Sequence, residues 1–274
     1  MTLEEKKTLS KLATQIRMGA LTAVHSAKSG HPGGSLSIAE LLAYLYFKEM
    51  NVDPQNPKDE KRDRFVLSKG HTCPALYATL ALRGFFDIDL LKTFRHVGSI
   101  LQGHPDMKYI PGVDMSTGSL GQGISAACGI ALSAKLSGDD YRVFTIMGDG
   151  EQEEGEVWEA AMFAAHHKLN NLCVIVDYNG LQIDGNITDV LNPTPLDEKY
   201  RAFGFNVFEI NGHDFDEIEN ALNQAKLSDK PVAIIAKCIK GRGVSFMENR
   251  YEWHGNAPSN EQFEQAMAEL SATL

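Results

Sequence analysis

The chain has few cysteines. Cys73, Cys128, Cys173 and Cys238 lie at least 45 positions apart in 274 residues, with no C-x-x-C pair. That spacing excludes a zinc ribbon and a thioredoxin-like motif and fits reduced thiols. No apolar run approaches the ~20 residues needed to span a bilayer. The opening "MTLEEKKTLSKLATQIRMGA" is charged and amphipathic, without an apolar core or small-residue cleavage site, so we expect no secretory leader and a cytoplasmic location. There is no basic block: 26 Lys and Arg face 36 Asp and Glu, a net charge of −10. Nucleic acid and membrane surfaces are therefore excluded as bulk partners. No Gly-Lys pair occurs, so a standard P-loop is absent. With no internal repeat, low-complexity tract or clear linker, one domain over residues 1–274 is expected.

Five β-branched runs are present: "RFVLS" (64–68), "RVFTIM" (142–147), "LCVIVD" (172–177), "FNVFEI" (205–210) and "VAIIAKC" (232–238). Most are continuously apolar, as strands buried on both faces are. Between several of them, "EVWEAAMFAAHHKL" (156–169) and "FDEIENALNQAKL" (215–227) carry apolar residues at helical spacing. The alternation predicts an α/β fold, a parallel sheet flanked by helices with right-handed crossovers. The first third is more helical, with Ser37 and Glu40 spaced as a capping box. The polar, proline-containing stretch 51–64 reads as a loop, and Ser259 as the N-cap of a last helix.

The turn "GDGEQEEGE" (148–156) follows the second run directly, at the sheet edge where open α/β folds bind ligands. Its acids have two readings. Asp149 is either a helix N-cap or a cation ligand, and the glutamates beyond it suit a helix N-terminus electrostatically. If the second and third strands are parallel neighbours, Asp149 and Asn179 emerge together. One carboxylate, one amide oxygen and a backbone carbonyl make part of a hard-cation site that a diphosphate would complete. Four histidines follow a glycine, His31, His71, His104 and His213, and a fifth lies in "YEWHG" (His254). Imidazoles in glycine-rich loops suit handling of hydroxyl protons near neutral pH. "GQGISA" (121–126) matches a dinucleotide fingerprint, but "DMSTGSL" before it is not strand-like, so the required context is missing.

"GDG" followed by "DYNGLQIDG" resembles the thiamine-diphosphate motif of the transketolase superfamily. "GHPGGSLSIAELL", "SKGHTCPALYATLA", "GHPD…PGVDMSTGSLGQG", "GDGEQEEGEVWEA" and "WHG" stand in the order found in transketolase, from about residue 15 to 257. The chain is similar to the amino-terminal, diphosphate-binding part of that family. The resemblance implies thiamine diphosphate and Mg²⁺ (or Ca²⁺ or Mn²⁺) as cofactors, and transfer of a two-carbon ketol unit from a ketose phosphate to an aldose phosphate. It implies Asp149, Asn179 and the Leu181 carbonyl as metal ligands. His71, Gly118, Ser119, Leu120 and Gly150 would meet the cofactor, as would Asn179. His31, His104 and His254 would meet the substrate, with His254 also at the reacting cofactor. Glu154 matches a glutamate that links two active sites across a subunit interface. His213, His25, His96, His166 and His167 have no counterpart that carries a role.

The residue that activates the aminopyrimidine belongs in this family to a second domain, for which no sequence remains before Leu274. A split enzyme is therefore expected, with a separate pyrimidine-binding partner chain in an α2β2 assembly. Two alternatives are a deoxyxylulose-phosphate synthase-like enzyme and a non-catalytic cofactor-binding regulatory subunit. "KGHTCP" and "WHG" favour transketolase over the first, and retention of the four histidines argues against the second.

Overall fold

In the computed structural model, which describes residues 1–274, the chain begins with the long helix α1 (Leu3–Ala27). Thr2 and Glu5 form a reciprocal capping box at its start, and Lys28 ends it in the left-handed region. Two short helices follow, α2 (Pro32–Ser37) and α3 (Ala39–Tyr44), the second running into one wide turn over Leu45–Glu49. Next come β1 (Arg64–Leu67), α4 (Cys73–Arg83), a long irregular stretch, and α5 (Gln122–Ser137). The remaining order is β2 (Val143–Gly148), α6 (Gly155–His166) and β3 (Leu172–Tyr178), then a small hairpin of β4 (Leu181–Gln182) and β5 (Gly185–Asn186). After α7 (Ile187–Val190) and α8 (Leu196–Ala202) come β6 (Asn206–Asn211), α9 (Phe215–Lys226), β7 (Val232–Lys237) and α10 (Asn260–Ser271).

The five predicted strands are all present and form one parallel sheet in the order β1-β2-β3-β7-β6. Alternate residues face opposite layers. Phe144, Ile146, Cys173, Ile175 and Ile234 pack toward α1, α3, α4 and α9. Val143, Met147, Val174, Val176 and Ile235 pack toward α5, α6 and α8. Burial on both faces is why these strands read as continuous apolar runs. Deleting one such side chain, Ile175→Ala for example, costs roughly 2–5 kcal/mol. A smaller cluster joins α1 and α2 to α10 through Leu21, Leu36, Ala266 and Leu270.

Ser259 caps α10 with Gln262 as its reciprocal partner, as its sequence position predicts. The expected capping box at Ser37 and Glu40 does not form. Helix α2 already starts at Pro32, a residue suited to a first helical position, so Ser37 lies at its end. The Ser37 hydroxyl instead donates to Gly34 O and Asp177 Oδ2. Glu40 is buried and accepts from Arg17.

The parallel sheet sends four strand ends to one edge. β1 leads to Lys69 and His71, β2 to Asp149, β3 to Asn179 and β7 to Lys240. All five of those side chains line one cavity.

Candidate active site

The register places Gly148 beside Asp177, so the β2 and β3 turns are neighbours. Asp149 is 2 % exposed. Its Oδ1 accepts from Gly150 N at 2.8 Å and its Oδ2 from Gly180 N at 2.5 Å. Burial, with Asp177 nearby, pushes its carboxyl up to about 6. Asp149 thus caps its own turn and presents a desolvated carboxylate at the cavity.

Asn179 is oriented by its neighbours. Its amide donates to Asp177 Oδ2 at 2.9 Å, and its Oδ1 accepts from Leu181 N at 3.1 Å. The Leu181 carbonyl accepts from Lys240 Nζ at 2.7 Å, and that ammonium is 3.1 Å from His254 Nδ1. Burial lowers Lys240 to about 8. Beneath this layer Asp177 is fully buried and pairs with Lys69, whose Nζ also donates to Gly34 O. Ser37, Lys69 and Asn179 all bond one Asp177 oxygen, which holds its carboxyl below the usual range despite burial.

The turn's glutamates are not equivalent. Glu151 does not serve the helix N-terminus that its position suggests. It is 2 % exposed and accepts from Ser68 Oγ (2.5 Å), Gly121 N (2.9 Å) and Gly148 N (2.9 Å), binding β1, the α5 entry and the acidic turn together. Glu154, by contrast, is exposed, precedes α6 without a side-chain cap bond, and stands at the cavity mouth.

The imidazoles gather opposite. His31 and His71 ring centres are 5.1 Å apart, His71 and His254 5.1 Å, and His31 and His254 5.5 Å. Burial, with neighbouring cations, lowers His31 to about 4 and His254 to about 3, and drives His71 well below its ordinary value. His104 is lowered by burial and by Arg95. All four rings are therefore neutral at pH 7 and able to accept a proton. His31 Nδ1 is buried without any hydrogen-bond partner.

The cavity measures 550 Å³ and contains His31, His71, His104, Gly118, Leu120, Asp149, Gly150, Glu154, Asn179, Leu181 and His254. Ser119 does not reach it; it lines an adjoining recess with Thr117 and Gln122. At Gly150 an added Cβ would lie 2.6 Å from Gln182 Oε1, so a larger residue there would displace the Gln182 side chain. Four groups were not marked by sequence reasoning: Lys69, Lys240, Asp177 and Glu151. A lysine directly after each of two strand regions, in "SKG" and "IKG", was the available signal for the first pair. Ordinary-looking carboxylates gave none for the second.

His213 also gains a place. Ile239 N donates to its Nε2 at 2.8 Å, so Nδ1 carries the proton and meets Glu40 Oε2 at 3.0 Å. Glu40 is bonded in turn to Arg17, which also donates to Leu36 O. This chain of bonds anchors the residue just before Lys240.

A buried carboxylate and an oriented amide at the strand ends, faced by neutral imidazoles and two lysines around one cavity, define an α/β domain with a polar ligand site at its sheet edge. Residues 8–272 match the family model described as transketolase, thiamine diphosphate binding domain, and the chain belongs to that family. It is 48% identical to the 6-deoxy-6-sulfo-D-fructose transketolase subunit of Clostridium sp. (strain MSTE9), over 97% of this chain and 98% of that one. It is 42% identical to an apulose-4-phosphate transketolase subunit of Phocaeicola vulgatus, over 98% and 95%. The transketolase structure from Campylobacter jejuni superposes with a TM-score of 0.92 at 35% identity, covering 99% of this chain but 43% of that one.

Proposed function

We propose that this chain is the diphosphate-binding subunit of a two-chain transketolase, moving a two-carbon ketol unit from a ketose phosphate to an aldose phosphate. The observation that carries the reading is the convergence of Asp149, Asn179 and the Leu181 carbonyl with four neutral imidazoles around one cavity. Its family membership and the names of its full-length relatives as subunits support it.

The residues fit thiamine diphosphate and a divalent cation. Asp149 supplies one buried negative charge and the other two ligands are neutral oxygens, a set that suits Mg²⁺, Ca²⁺ or Mn²⁺ completed by phosphate oxygens. No cluster of three or more His, Cys, Asp or Glu side chains competes as a metal site. His71, Gly118, Leu120 and Gly150 would border the cofactor, with Ser119 on the adjoining recess. Lys69 and Lys240 would offset diphosphate charge. The bound cofactor supplies the electron sink for breaking and making the carbon–carbon bond.

The chain's own residues handle protons and position. A donor hydroxyl loses its proton as the bond breaks, and His31, His104 and His254 are neutral bases at the cavity wall. His31 Nδ1 is buried without a hydrogen-bond partner. Glu154 at the mouth would meet a carboxyl group of a second protomer, and α2β2 is the assembly this implies. Mixing the chain with a separately made pyrimidine-binding subunit, Mg²⁺ and thiamine diphosphate is expected to yield ketol transfer, read as aldose release. Full turnover by this chain alone would refute the two-chain reading, and absence of metal-dependent cofactor binding would refute the whole of it.

A further inference from the structure

Arg95 lies outside the cavity wall, yet its backbone and side chain are held in an unusual way. Its φ is +59°, a left-handed conformation uncommon for a non-glycine residue. The peptide is fixed there by Arg95 N donating to Leu101 O at 2.8 Å. From this position Nη1 donates to Ser29 Oγ at 2.6 Å, two residues before His31. The other face of the guanidinium lies on Gly103, one residue before His104. A Cβ at Gly103 would stand 2.8 Å from Arg95 Nε and 3.1 Å from its Cζ. Nε is buried and has no hydrogen-bond partner. The side chain thus bridges two loops distant in sequence, each carrying one of the histidines at the substrate end.

We propose that Arg95 is a positioning residue for the reaction, joining the His31 loop to the His104 loop and placing a fixed positive charge behind both rings. This rests on the transketolase reading above. The bare glycine leaves room for the guanidinium to lie against the His104 loop. The charged groups facing His31 are Arg95 and Lys240, with the neutral but titratable rings of His104, His71 and His254 beside it. Arg95 is the charged group that acts on His104. A cation at this place disfavours protonation of either ring, which keeps them as proton acceptors when the solution turns acidic.

The test uses the full chain first. Histidine titrations by NMR are compared for wild type, Arg95→Met, Arg95→Lys and Gly103→Ala. We expect His31 and His104 to take up protons at higher pH in Arg95→Met and nearer their wild-type positions in Arg95→Lys, which keeps the charge. Gly103→Ala, which pushes the guanidinium away from the opposite side, is expected to move His104 upward. In the complex reconstituted with its partner, kcat/KM of both Arg95 variants is expected to fall roughly ten- to a hundredfold through misplacement of the rings. The acidic limb of the pH profile is expected to move up in Arg95→Met alone. Unchanged histidine titrations in Arg95→Met, whether or not its Tm drops, would overturn the proposal. Because that readout needs no turnover, its failure is distinct from a wild-type complex that shows no ketol transfer.

Discussion

Asp149 carries most of the chemical meaning of the acidic turn. Its folded-state value of about 6 stands above the ordinary carboxylate range, so the folded chain binds more protons than the unfolded chain between about pH 4 and 6. Stability contributed at this residue is therefore present in acid and lost as pH rises through that window, on the order of 3 kcal/mol. A divalent cation held by Asp149, as proposed above, would reverse this penalty and would have to displace a proton below pH 6. The rise in Tm produced by Mg²⁺ with thiamine diphosphate is expected to be larger at pH 7.5 than at pH 5. Asp149→Asn is expected to abolish that rise and weaken cofactor binding at least a hundredfold in calorimetry. An equal thermal shift at both pH values would show that Asp149 does not hold the metal. The neighbouring Glu151 bears a similar side chain yet serves a different purpose, because three donors from surrounding segments already occupy it.

At the scale of elements, the exits of the parallel strands decide what meets what. The β6 exit supplies His213, which bonds Ile239 N and so sets the course of the chain leaving β7. Lys240, the next residue, turns toward Leu181 O and His254. His213→Ala is expected to weaken thiamine diphosphate binding by about tenfold, since a lost bond to a charge-linked group is worth roughly 1–3 kcal/mol. In a Lys240→Ala background the same change is expected to add little, because the tether acts through Lys240. Additive losses in this double-mutant cycle would make His213 a packing residue instead. The "NGHD" motif was visible in the sequence without a role. A histidine that acts through the neighbour of its partner leaves no spacing signal.

For the whole molecule, the exposed position of Glu154 at the cavity mouth matters most. It has no side-chain cap bond inside this chain, although the helix it opens could have used one. Glu154→Gln is expected to leave the Tm of the isolated chain within about 1 °C, as surface changes usually do. The same variant is expected to weaken assembly or activity of the two-subunit complex by tenfold or more, read by analytical ultracentrifugation and by ketol transfer. Wild-type assembly and turnover in Glu154→Gln would remove the residue from the interface. No helix is long and apolar enough to cross a membrane, which matches the absence of long apolar runs.

The sequence by itself determined the class of fold and most of the residues at the site. Strands buried on both faces read as continuous apolar runs, and most of the five runs do so, which with the helical patterns between them points to a parallel sheet. Asp149 and Asn179 were legible because each directly follows a strand, and parallel strands end at the same edge. The tertiary structure alone decided the rest. It withdrew Ser37 from its apparent capping box and gave it to Asp177, because a helix starting at Pro32 reaches Ser37 only at its end. It turned Ser119 to an adjoining recess and made a buried clasp of Glu151. It also brought Arg95 between two histidine loops. Those assignments depend on which distant segments share a partner, and local patterns of charge and hydrophobicity do not encode that.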